Sequence, residues 1–267
     1  MFKKILAYLG YMVLAAIPAA YLFFSSQITS AEISKLKCKQ IKVTILDSAI
    51  NRFVTPEEIK ELVRLEGITV NESKIRHINQ FELENLLNNK TAVKSSQVYV
   101  TGKGELMVEV RQRRPILRLE TVNGGFYMDE TAYLFPLMRS FTSYVPVVTG
   151  NIPLTLTPGF RGESDKKSIW AHKIKEMGLF LERERFWNSM IEQIYIDSTG
   201  TLELTPRVGK FEIVFGEPEN IEFKFKKLEA FYTKVIPATG WEIYNRVDLR
   251  FSNQLVCKKR EIKQIKT

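Results

Sequence analysis

The sequence predicts an α+β protein: an N-terminal transmembrane helix, a small domain in the order β-α-α-β-β, and a mainly antiparallel β domain with packing helices. Three observations predict it. Residues 5–24 run for twenty positions without a charge. Residues 41–118 place two capped amphipathic helices among apolar segments of period two. From residue 119 onward, short alternating segments dominate, interrupted by two stretches of helical periodicity.

Composition sets the bounds. With 267 residues, 45% hydrophobic and 26% charged, the chain has the make-up of one large globular domain or two ordinary ones. It is not a disordered, collagen-like or polytopic membrane chain. Two cysteines are too few for a disulfide framework or a Cys-rich zinc site, and two histidines leave little room for a multi-histidine metal centre. The excess of 39 Lys+Arg over 30 Asp+Glu gives a formal charge of +9. These charges are interspersed with acids, which argues against a nucleic-acid partner.

In the first element, residues 5–24 (ILAYLGYMVLAAIPAAYLFF) extend about 30 Å as a helix, the thickness of a bilayer's hydrocarbon core. Ile5, Leu9, Leu14, Pro18 and Phe24 mark this anchor. Residues 1–4, with Lys3 and Lys4, form a cytoplasmic stub by the positive-inside rule, and the bulk of the chain is exported. A cleaved signal peptide shares the basic start, but its apolar region runs about 7–15 residues and ends in small side chains. Here the run is longer and closes on Tyr-Leu-Phe-Phe. The lipid bilayer is therefore an expected partner. Residues 25–40 read as a polar spacer. Cys38 and Cys257 lie near the two ends of the exported part; a disulfide would suit that compartment, although nothing in the sequence shows that they meet.

Residues 41–46 (IKVTIL) alternate and predict a strand. Thr55-Pro56-Glu57-Glu58 then supplies a capping threonine, a proline at the first helical position and a glutamate to close a capping box. Ile59, Leu62 and Val63 form the apolar stripe, and Gly67 can end the helix. A second helix opens at Asn79, with Leu83, Leu86 and Leu87 as its buried face. Val98 and Val100, then Leu106, Val108 and Val110, alternate on either side of Thr101-Gly102-Lys103-Gly104, which has turn chemistry and predicts a hairpin. That Gly-Lys-Gly lacks the spacing and the following helix of a phosphate loop.

In residues 119–258, strands are expected at 191–196, 201–204, 211–215, 241–244 and 247–251, with helices at 169–185 and 223–235. Residues 253–258 (NQLVCK) follow across Ser252-Asn253 as a terminal hairpin whose last strand lies at the sheet edge. Free edges offer unpaired N–H and C=O groups and are usually guarded by charge or covered by a partner. Here Lys258, Lys259 and Arg260 come only at the end. Residues 259–267 read as a solvated basic tail.

The ordered set of segments resembles the FtsQ/DivIB family of bacterial cell-division proteins. Its carriers are residues 92–98 (AVKSSQV), 105–110 (ELMVEV) and Arg113-Arg114-Pro115-Ile116, similar to the end of that family's POTRA unit. Phe126-Tyr127-Met128-Asp129-Glu130 with Leu134-Phe135-Pro136 is similar to its D-x-x-G-x-v-f hairpin, with the usual glycine replaced near Thr131-Ala132. Residues 145–150 (VPVVTG) and 247–251 (VDLRF) match its L-P-x-L-x-G and V-D-L-R-Y segments. The resemblance implies that residues 41–118 are a POTRA domain and residues 119–258 the family's β domain. It also implies a non-enzymatic scaffold at the division septum in the inner membrane. Its partners would be FtsB/DivIC-like and FtsL-like coiled-coil division proteins, one of which adds a strand to the C-terminal edge. Carried over position by position, Arg250 would pair with a partner carboxylate beside Phe251, with Asn253, Leu255, Val256, Cys257 and Lys258 completing the surface. The competing reading makes Phe251 a core residue and Arg250 merely solvated. An export or envelope-assembly factor built on the same POTRA unit is the alternative function.

No catalytic, cofactor or metal site is expected, and no small-molecule substrate. Ser164-Asp165-Lys166-Lys167 and Ser34-Lys35-Leu36-Lys37 fit a bare S-x-x-K pattern, but the Lys-Thr-Gly that positions a substrate carboxylate does not occur. His77 and His172 have no His or Cys neighbour at helical spacing. Asp129, Glu130, Asp197 and Asp248 sit beside turns or in strands, with no partner network visible in the sequence.

Overall fold

The computed structural model describes residues 14, 16–18, 20–21, 36–49, 51–164 and 168–261. They form two compact units, residues 1–112 and 113–267. Of the expected anchor, Leu14 and Pro18 are helical, while Ile5, Leu9 and Phe24 lie outside the described residues. Among the described residues, no helix is long and apolar enough to cross a membrane.

The first unit contains β1 (Gln40–Ile45), α1 (Pro56–Leu65), a 3-10 turn (Ile75–His77), α2 (Gln80–Asn88), β2 (Val93–Val100) and β3 (Glu105–Gln112). The capping box forms as expected. Thr55 Oγ1 accepts from the Glu58 N–H, and Glu58 Oε2 accepts from the Thr55 N–H at 2.9 Å. Asn79 caps α2 through the Glu82 N–H. In the three-stranded sheet β3 is central, parallel to β1 and antiparallel to β2. Ile59 and Val63 from α1, and Leu83 and Leu87 from α2, bury against Ile41, Val98, Leu106 and Val108. The expected spacer is shorter than 25–40. The Cys38 N–H donates to Ser73 O, the Ile75 N–H donates to Leu36 O, and Cys38 is fully buried in this core. Both Cys38 and Cys257 are free thiols.

The second unit is built on one ten-stranded sheet, in the order β13-β12-β11-β10-β9-β7-β4-β5-β6-β8. Its strands are β4 (Pro115–Thr121), β5 (Gly124–Asp129), β6 (Tyr133–Pro136), β7 (Val147–Gly150), β8 (Gly162–Glu163), β9 (Ile191–Ile196), β10 (Leu202–Pro206), β11 (Glu212–Gly216), β12 (Tyr244–Asp248) and β13 (Val256–Lys259). Neighbours are antiparallel except β4/β7, β7/β9 and β11/β12. The helices α3 (Ile169–Arg183), α4 (Arg185–Met190) and α5 (Ile221–Ala230) bury Ile174, Met177, Trp187, Phe225 and Leu228 in a core with Leu119, Val148, Ile194, Leu204, Phe215 and Val247. Helix α5 runs on through a π turn (Phe231–Val235) into α6 (Ile236–Thr239). Pro237 brings no N–H to this stretch, so one carbonyl of the preceding turn lacks its usual helical donor.

Three further expectations change. The boundary expected at residue 118 falls instead after Gln112, because β4 pairs with β5 and β7 of the second sheet. The strands expected at 241–244 and 247–251 are one strand, β12. After Asp248 the chain leaves the ladder, since the Asp248 carboxylate turns back to accept the Arg250 N–H at 3.0 Å. The terminal hairpin accordingly has a seven-residue connection, Leu249 to Leu255, in place of a tight turn at Ser252-Asn253, and β13 begins at Val256.

Candidate functional site

The residues singled out in the sequence lie on β13 and on the connection that leads to it. β13 is the terminal strand of the sheet, with β12 as its only neighbour in the sheet order. The Arg260 N–H donates to Ile243 O at 2.8 Å, beside the pair Lys259–Tyr244. Because successive amides of a strand alternate in direction, Lys258 and Val256 turn the same way as Arg260. The amides of Cys257 and Lys259 therefore face the open rim. Leu255 and Cys257 are half-buried against the core, whereas Val256 is 42% exposed and Lys258 is exposed. Burial pushes the Cys257 thiol above its ordinary pKa.

Arg250 and Phe251 sit on the connection. Phe251 is 45% exposed, so it is not a core residue. Arg250 is not simply solvated either: Nε lies 3.0 and 3.1 Å from the two Asp248 carboxylate oxygens, and Nη2 lies 2.6 Å from Oδ2. Burial alone would raise the Asp248 carboxyl, but the hydrogen bonds and charge of Arg250 outweigh it and hold the group below the usual carboxylate range. Asn253 is exposed in the same connection.

Four groups that shape this region carried no sequence signal. Lys227 of α5 donates to Leu249 O at 2.8 Å and to Phe251 O at 2.5 Å. Lys224, one turn earlier, is buried and donates to Glu217 O at 2.8 Å. Gly216 has φ +82°, and a Cβ there would lie 2.8 Å from Arg250 Cγ. Behind the bulge of β12, Arg246 pairs with Glu203 at 3.4 Å. With Lys210, Lys258 and Arg260 it lines a shallow basic recess beside the rim.

The histidines and carboxylates resolve into structural roles. His172 Nδ1 is 3.1 Å from Ser168 O, and His77 ends the 3-10 turn. Asp129 does have a network. Fully buried, it accepts from Arg113 at 2.8 Å, from the Thr131 N–H and hydroxyl, and from the Tyr133 N–H. It thereby fixes the tight turn at Ala132, whose φ is +65°. Asp197 closes another turn through Thr199 and Thr201. Of the S-x-x-K serines, Ser164 is buried and the lysine of its pattern lies outside the described residues, as does Ser34.

Among families, residues 36–111 match the POTRA-like domain. Residues 114–258, more than half of the chain and ending within β13, match the family described as FtsQ/DivIB, C-terminal related. No curated protein matches the chain. The break between the two matched stretches coincides with the change of sheet after Gln112. The chain thus belongs to the FtsQ/DivIB family of cell-division proteins.

Proposed function

We propose that this protein is a membrane-anchored, non-enzymatic scaffold of the bacterial divisome that recruits a coiled-coil division protein by β-strand addition to β13. The supporting observation is the rim itself. β13 ends the sheet, its outward amides at Cys257 and Lys259 meet no strand among the described residues, and Val256 beside them is exposed. An incoming extended segment gains backbone hydrogen bonds there and takes its register from alternate side chains. The partners are FtsB/DivIC-like and FtsL-like proteins, and the working location is the septal inner membrane, reached through the anchor at residues 5–24. Confinement by that anchor raises the effective concentration of the rim toward partners held in the same membrane.

Two proline variants with the same loss of charge test this. Lys259→Pro removes an outward N–H and leaves the β12 ladder whole, so binding of the purified FtsB/DivIC-like protein falls by at least about ten-fold, the equivalent of ~1.4 kcal/mol. Lys258→Pro removes an inward N–H and weakens the strand's own pairing. Strand addition is ruled out if Lys259→Pro binds as tightly as the unaltered protein.

A further inference from the structure

We propose that Lys227 is a positioning residue for partner recognition, its ammonium holding the backbone turn that presents Arg250 and Phe251. The inference rests on reading the β13 rim and the connection before it as the partner surface. The turn is restrained on its donor side by the sheet: the Leu249 N–H donates to Val214 O at 2.9 Å and the Arg250 N–H to Asp248. On its acceptor side, among the described residues, Lys227 restrains it. The carbonyls of Leu249 and Phe251 converge on one Nζ, at 2.8 and 2.5 Å. Carbonyls two residues apart reach the same atom only when the chain bends around the residue between them, and that residue is Arg250. An ammonium has three donors and no acceptor, so both carbonyls fall within its capacity.

The placement of Lys227 is itself rigid. Phe225 and Leu228, on either side of it in α5, are buried in the core, and its ammonium lies 5.3 Å from the centre of the Phe223 ring. Lys224, one turn earlier, fastens the chain just past β11 at Glu217 O. Burial pushes both lysines below their ordinary pKa, with Lys227 drawn back up by Asp248. Placing an ammonium there costs more than placing an apolar residue of the same length. What the lysine supplies in return is the shape of an exposed turn. Asp248 then aims the guanidinium from that turn, so the carbonyls on either side of Arg250 are held by Lys227 and its tip by Asp248.

The test uses the full-length protein in detergent and the extracytoplasmic part of the FtsB/DivIC-like protein of the same genome as probe. Lys227→Met keeps the apolar stem and removes the ammonium. It binds about ten-fold more weakly, while its thermal midpoint stays within about 4 °C of the unaltered protein. Lys227→Arg, which can still bridge two carbonyls, retains binding. In a double-mutant cycle, adding Lys227→Met to Arg250→Ala weakens binding by less than Lys227→Met does alone, the remainder belonging to Phe251. Full additivity in that cycle overturns the proposal, as does a larger fall in midpoint with faster amide exchange across β11. Normal binding by Lys227→Met, where Lys259→Pro has lost binding, overturns the positioning role and leaves strand addition standing. Normal binding by Lys259→Pro removes strand addition instead, and the Lys227–Arg250 cycle still decides the role of Lys227.

Discussion

Asp248 is the residue on which the presentation of Arg250 turns, and its chemistry fixes a pH dependence. Its carboxyl is held below the ordinary value because Arg250 donates to it from both side chain and backbone, against the opposing effect of burial. A depressed carboxyl stabilises the fold at pH values above its unfolded pKa of about 3.9, and the contribution is lost as pH falls through the lower folded value. Denaturant midpoints are therefore expected to fall from about pH 4 downward. Asp248→Asn should be less stable at neutral pH by roughly 1.5–3 kcal/mol, the worth of a charged hydrogen bond, with a flatter decline below pH 4. An unchanged pH profile in Asp248→Asn would place the acid sensitivity elsewhere. At this scale the sequence was only partly legible. Arg250 could be picked out by family resemblance. The lysines that shape its surroundings stand 23 and 26 positions away on a helix, where they look like any solvated lysine. Asp129 divides the same way: Thr131 and Tyr133 stand two and four positions on and close a local turn, whereas Arg113 comes from before β4 and only folding brings it to that carboxylate.

At the scale of elements, local rules carried further. The capping box of α1, the Asn79 cap of α2 and the turn at Thr101–Gly104 all formed as their residue types dictate, because each is closed by groups within four positions. The strand end near the C-terminus was misplaced because period-two alternation continues from Val247 through Leu249 to Phe251 without showing where the ladder stops. The stop is an aspartate side chain competing for a backbone N–H, and Asp248 reads as an ordinary strand residue until its partner is known. Gly150 illustrates a glycine whose need is set by a neighbouring element. It ends β7 with φ +90°, and a Cβ would lie 2.2 Å from Ile196 O of β9. Gly67 has a similar φ of +80° but nothing within 4 Å. Gly67→Ala should then cost only the left-handed backbone penalty, about 1–2 kcal/mol. Gly150→Ala adds the displacement of a central strand and should cost about 2–5 kcal/mol. Equal losses in chemical denaturation would mean that β7 and β9 separate more easily than their pairing implies.

At the scale of the whole molecule, sequence order said little about sheet order. β7 lies between β4 and β9, and β11 beside β12, by parallel pairings that long connections make possible and that no local pattern announces. The separation into two cores follows more directly from the coordinates. Among the described residues, Leu106, Val108, Ile59 and Leu87 belong to one buried cluster and Leu204, Ile194, Phe215 and Leu228 to another. Such an arrangement predicts two thermal transitions, each responding to its own core. Leu106→Ala and Leu204→Ala both empty fully buried or nearly fully buried sites, and Leu→Ala changes of this kind cost about 2–5 kcal/mol. Calorimetry should show Leu106→Ala lowering one transition and Leu204→Ala the other. The partner binding proposed at β13 should survive Leu106→Ala at temperatures below the altered transition. If both substitutions instead shift one common transition, the two cores melt as a unit. Recognition at the C-terminal rim would then depend on the stability of the POTRA-like sheet as well as on β12 and β13.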